Sequence, residues 1–101
     1  MQIISAIATL GPSSAGTLVT QAGTQGTYKF NVNFAPAFPT VPVVVATPLQ
    51  GTNFPAGTIA DTFAITVVSV TATGFTVNVN RVDALNGGWA QNLRLGYTAS
   101  V

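Results

Sequence analysis

At 101 residues, with no Cys, no His and no Glu, the chain is the size of one domain and has neither thiolate nor imidazole chemistry available to it. Its net charge of +1 comes from Lys29, Arg81 and Arg94 against Asp61 and Asp83; three isolated cations cannot displace counterions along a phosphate backbone or grip an anionic bilayer, so neither nucleic acid nor membrane is expected as a partner. Charged residues are 5% of the chain, against about 25% in an ordinary soluble domain, which implies that much of the surface is covered by copies of the chain or by a larger assembly.

The first ten residues, MQIISAIATL, are apolar but carry no Lys or Arg in front and are broken by Ser5 and Thr9, which predicts a strand rather than a signal peptide. Gly11-Pro12-Ser13-Ser14 closes that strand, and the glycines between Gly23 and Gly26 break the chain again. In residues 27–34 Tyr28, Phe30, Val32 and Phe34 alternate with Lys29, Asn31 and Asn33, the period of a strand with one buried face. Residues 41–47 and 63–71 are β-branched almost throughout, so both faces of each are expected to be covered, by a neighbouring subunit or by a long loop. Between them lies a long loop, residues 49–61, whose Asn53-Phe54-Pro55 offers an uncharged aromatic contact suited to an interface. Thr73-Gly74 predicts a tight turn in which Gly supplies a backbone angle other residues resist. Phe75, Val77 and Val79 then oppose Thr76, Asn78 and Asn80, and after a second long loop, residues 82–91, Leu93, Leu95, Tyr97 and Ala99 oppose Asn92, Arg94, Gly96 and Thr98. No helical period of useful length appears, and no segment approaches the roughly 20 apolar residues of a membrane span. The fold class expected is all-β: a single antiparallel sandwich of six or seven strands over residues 1–101, with residues 1–26 as an N-terminal strand or an arm that docks on a neighbour.

The landmarks Phe34-x-x-x-Phe38-x-x-x-Pro42-x-Val44, followed by Val70-Thr71-Ala72-Thr73-Gly74-Phe75 and by Tyr97-x-Ala99, give residues 28–99 a spacing that resembles the H-type lectin domain. The resemblance implies a small β-sandwich working as a trimer and binding galactose or N-acetylgalactosamine at the subunit junctions. It further implies a pocket made by an acid from an N-terminal loop, an Arg opening the strand before the Thr-Gly-Phe hairpin, and a Trp-His pair after it. This chain departs from that pattern at each position. Residues 1–60 hold no Asp or Glu, the stretch Ile59-Ala60-Asp61-Thr62-Phe63 holds no cation, and Val82-Asp83 stands in place of the aromatic and the imidazole. The usual galactoside site is therefore not expected, and any glycan must be held by other residues.

Arg81, Asp83 and Trp89 gather around the second long loop and are the candidate ligand-binding residues: with Asn86-Gly87-Gly88 they offer charged hydrogen bonds and an indole face for a saccharide. The competing reading pairs Arg81 with Asp83 and uses Trp89 to cap a sandwich edge or a subunit contact. Catalysis is not expected. The many Ser and Thr hydroxyls lack a base, since Lys29 is flanked on its face by Asn31 and Asn33, and Asp61 with Asp83 is the only carboxylate pair. No cofactor is expected, nor a metal, for which no carboxylate-rich loop exists.

Two functional readings stay open at this point. One is a structural trimer built into a larger protein assembly, a bacteriophage virion component such as a capsid decoration (cement) protein or a tail-fibre protein, located in the virion. The other is a carbohydrate-binding, H-type-like lectin or adhesin with a non-standard site, either soluble or displayed. Exposure of the Trp89 indole separates them: turned to solvent beside Arg81 it serves a glycan, sealed in an interface it serves assembly.

Overall fold

Alternation decides which side chains each strand turns inward, because successive Cβ atoms point to opposite faces of a sheet. The computed structural model describes residues 2–19, 26–49, 62–82 and 88–101. Among them run seven strands: β1 (Ile3–Gly11), β2 (Thr17–Val19), β3 (Thr27–Asn33), β4 (Val43–Leu49), β5 (Phe63–Val68), β6 (Gly74–Arg81) and β7 (Leu93–Ser100), with one 3-10 turn, Ser13–Ala15. All pairings are antiparallel, in a three-stranded sheet of order β1-β7-β4 and a four-stranded sheet of order β2-β3-β6-β5.

The two sheets share one core. Phe30 and Val32 of β3 and Phe75, Val77 and Val79 of β6 meet Leu10 of β1 and Leu93, Leu95 and Ala99 of β7, with Val77, Val79, Leu93 and Leu95 fully buried. Each such aliphatic side chain contributes about 1.5–3 kcal/mol by leaving water. The inward faces expected of β3, β6 and β7 are the ones found.

The landmark motifs are physical neighbours. Phe38 packs edge-on against Phe34, centroids 5.0 Å apart, and Phe34 touches both Phe75 and Tyr97. The backbone N–H of Phe34 donates to Thr73 O and that of Phe38 to Ala72 O, both at 2.8 Å. The stretch leading from β3 is thus sewn to the turn before β6, and the four-residue spacing from Phe34 to Phe38 places both rings against that turn.

The structure refines three expectations. Gly74 is required, but for contact and not for its backbone angle: the positive φ in this turn belongs to Ser69, at 52°, whereas a Cβ on Gly74 would overlap the Val32 carbonyl oxygen of the adjacent strand. Of the two forms expected for residues 1–26, the described part takes the strand, β1 pairing with β7 along its length and β2 with β3. The double cover expected for residues 41–47 and 63–71 is not supplied by the described residues. Val43 and Val45 stand 70% and 69% exposed, and β5 is an edge strand that leans Phe63, Ile65 and Val67 on the core while Ala64 and Thr66 face out.

The outer faces of the sheets differ in chemistry. That of β1-β7-β4 presents Ile3, Ile7, Val43 and Val45. That of β2-β3-β6-β5 presents Lys29, Asn31, Asn78, Asn80, Thr66 and Thr76, paired across strands. The two ends of the described chain meet, the Val101 N–H donating to Gln2 O at 3.1 Å.

Candidate functional site

Trp89 follows the second long loop, and its surroundings fix its role. The indole is 6% exposed. Its Nε1–H donates to Gly11 O at 2.9 Å, and Tyr28 and Phe63 meet the ring edge-on at centroid distances of 5.1 and 5.0 Å. Phe30 lies tilted against it at 6.1 Å. Its backbone is held as well: Trp89 N–H donates to Ser13 Oγ, and Trp89 O accepts from Ser13 N–H. Gly11 reaches this arrangement through a φ of +87° at the bulge that ends β1, a conformation that favours glycine. The indole thus plugs one end of the sandwich inside its own subunit. It is neither a solvent-facing platform for a sugar nor a contact reserved for a neighbour, and its place among the candidate ligand residues is corrected accordingly.

Arg81 ends β6 on the side of the core, and its guanidinium donates to Gly88 O at 2.8 Å. It therefore braces the backbone immediately before Trp89. Asp83, Asn86 and Asn53-Phe54-Pro55 lie outside the described residues, so of the expected cluster the structure joins Arg81 and the segment bearing Trp89. The two positions where the resemblance places the pocket Arg and the aromatic also converge, since the Val82 N–H donates to Thr62 O at 2.9 Å. What meets there, among the described residues, is the Thr62 hydroxyl and an exposed Val82, where the resemblance expects an Arg and an aromatic ring.

A family model of the H-type lectin domain matches residues 29–99, more than half of the chain and nearly the whole stretch over which the landmarks are spread. The chain belongs to the H-type lectin domain family. Comparison with curated proteins returns no match. The H-type lectin sandwich is present, and at the described pocket positions its polar ligand groups are replaced.

Two further features were not singled out from the sequence. On the outer face of β1-β7-β4, Arg94 is only partly exposed and its Nε is buried with no hydrogen-bond partner. It stands in register between Thr9 and Leu49. Beside it Gly96 leaves a hollow of about 320 Å³ bordered by Val45, Thr47 and Thr98, so this face alternates aliphatic ridges with a gap. On the opposite side of the molecule the polar face of β3 and β6 carries cross-strand amide and hydroxyl bonds. Its signal in the sequence was the recurrence of Asn at alternate positions, which reads as solvated surface until the strands are paired.

Proposed function

We infer that this protein is a non-catalytic carbohydrate-binding domain that works as a homo-oligomer, a trimer by its family resemblance, assembled through the outer face of β1-β7-β4. The observation that carries the sugar-binding reading is the family match over residues 29–99. Oligomerisation is supported by four exposed aliphatic residues on one face, Ile3, Ile7, Val43 and Val45, which are 56–70% exposed in the single chain. A patch of that kind is costly to leave in water.

The test is a glycan array probed with the purified protein, with mass in solution measured by light scattering. Reproducible retention of a glycan by a species heavier than the 10.3 kDa protomer is the expected result. Val45→Lys places a charge among the exposed aliphatic side chains of this face and should return the protein to the protomer mass with its β-sheet circular-dichroism signature retained. A monomeric wild type overturns the oligomer, and silence on every glycan overturns the lectin reading.

A structural role within a larger assembly, the virion component expected from composition, is the second reading. The exposed aliphatic face favours it as much as it favours self-association, while the family match adds nothing to it. An oligomer that ignores every glycan would move the proposal there.

A further inference from the structure

We propose that the outer face of the four-stranded sheet, centred on Asn31 and Asn78, binds a neutral saccharide through fixed side-chain amides, so that this lectin takes its ligand on a sheet face instead of in the loops. The proposal rests on the carbohydrate-binding reading above and names the site and ligand class for it.

Cross-strand bonds orient these amides. Asn31 pairs opposite Thr76, and Thr76 Oγ1 donates to Asn31 Oδ1 at 2.9 Å. Asn78 pairs opposite Lys29, and Lys29 Nζ donates to Asn78 Oδ1 at 2.7 Å. In both residues the carbonyl half is engaged within the sheet, which leaves the Nδ2 amine as the group offered outward. Asn80 is turned the other way, its Nδ2 donating to Gly26 O and Thr27 Oγ1, so its carbonyl oxygen faces out beside those donors. Fixed donors and acceptors lose little conformational freedom when a ligand arrives, and hydroxyl groups, each donor and acceptor at once, suit a surface that offers both.

Shape agrees with this chemistry. Two hollows meet at Asn31. One, about 340 Å³, opens at the edge of the sandwich where β2 stops short of the end of β3, between Thr9 and Leu10 of β1 and Thr17, Lys29 and Asn31. The other, about 410 Å³, lies toward the turn before β6 and is bordered by Asn31, Asn33, Ser69, Thr71, Thr73 and Thr76. Side chains two residues apart on one strand stand about 6.8 Å apart, a separation comparable with the width of a pyranose ring. The trough can therefore follow more than one sugar unit.

Competing ligand classes lack their requirements on this face. An anion is held best by several converging cations, and among the described residues of this face Lys29 is the one cation, with Arg81 and Arg94 elsewhere. A divalent metal needs carboxylates, of which the described face has none. A protein partner needs a buried aromatic or aliphatic anchor, and the surface between the two hollows is amide and hydroxyl.

The test begins with a printed array of neutral and acidic glycans; any glycan retained is then titrated into uniformly ¹⁵N-labelled wild-type protein. The expected result is retention of at least one neutral glycan, with saturable shifts of the Asn31 and Asn78 side-chain amide resonances. The double variant Asn31→Ala/Asn78→Ala should then weaken binding about tenfold or more, as the loss of one or two ligand hydrogen bonds, at an unchanged melting temperature. Thr76→Arg, which fills the trough and keeps the core, should abolish binding. Retention only of acidic glycans, or shifts confined to residues near Arg81 or Gly96 with the Asn amides still, overturns this site and leaves the lectin reading standing. No retained glycan overturns both.

Discussion

Trp89 shows how a residue suited to a ligand can be spent on the fold. An indole beside an Arg and several glycines has the makings of a stacking platform, yet its N–H faces Gly11 O and three aromatic rings enclose it. Trp89→Ala should cost about 3–5 kcal/mol, the loss of a buried aromatic plus the cavity it leaves, read from urea unfolding. The same variant should leave glycan affinity unchanged in whatever fraction stays folded. Gly74→Ala tests a different cause: the added methyl meets strand backbone, which cannot swing aside, so a cost of about 1–3 kcal/mol is expected. Gly11→Ala should cost about 1–2 kcal/mol, there from its positive φ. A melting temperature unmoved by Gly74→Ala would show that β3 and β6 have room to separate.

For the strands, the apolar alternation of β3, β6 and β7 was legible in the sequence because period two is a property of the chain itself. The β-branched runs said less, for the complementary reason: Val and Ile favour strands whether or not both faces are covered. Residues 41–47 therefore read as covered on both faces, while among the described residues Val43 and Val45 stand open on one of them. The order of strands was not legible at all, and with it went the polar face, since Asn31 meets Thr76, and Lys29 meets Asn78, only after β3 and β6 pair. The Thr-Gly hairpin was placed correctly with the wrong cause. Its hydrogen bonds explain the Thr: Thr71 Oγ1 donates to Gly74 O at 3.2 Å and accepts from Thr73 N–H at 3.3 Å. Thr71→Val keeps the branching and removes both, and should lower stability by about 0.5–1.5 kcal/mol, measured by thermal unfolding. No change would assign the turn to Gly74 alone.

At the scale of the molecule, the two outer faces divide the work proposed for it. The aliphatic face of β1-β7-β4 and the amide face of β2-β3-β6-β5 lie on opposite sides of a body 17 Å across its shortest extent. Copies joined through the first would turn the second outward, each with its own trough. Weak single sites then act together on a glycan-bearing surface, where avidity exceeds single-site affinity by a factor of about 10²–10⁴ when several can engage. The loss of surface binding in Val45→Lys, with binding of the free oligosaccharide retained, is the expected signature and can be read by comparing immobilised with soluble glycan.

The meeting of Gln2 with Val101 and the central place of β7 have a consequence in time. β7 lies between β1 and β4 in its sheet, so neither has a neighbour there until Leu93–Ser100 has been synthesised. The other sheet waits for nothing so distant, as β2, β3, β5 and β6 all precede residue 82. On the ribosome, Ile3, Ile4 and Ile7 therefore have no strand partner in this sheet until β7 has emerged. Closing so long a span places folding among the slow, non-local β topologies, on the order of milliseconds to seconds. Of these seven strands, β1 precedes the others and is among the last to find its place.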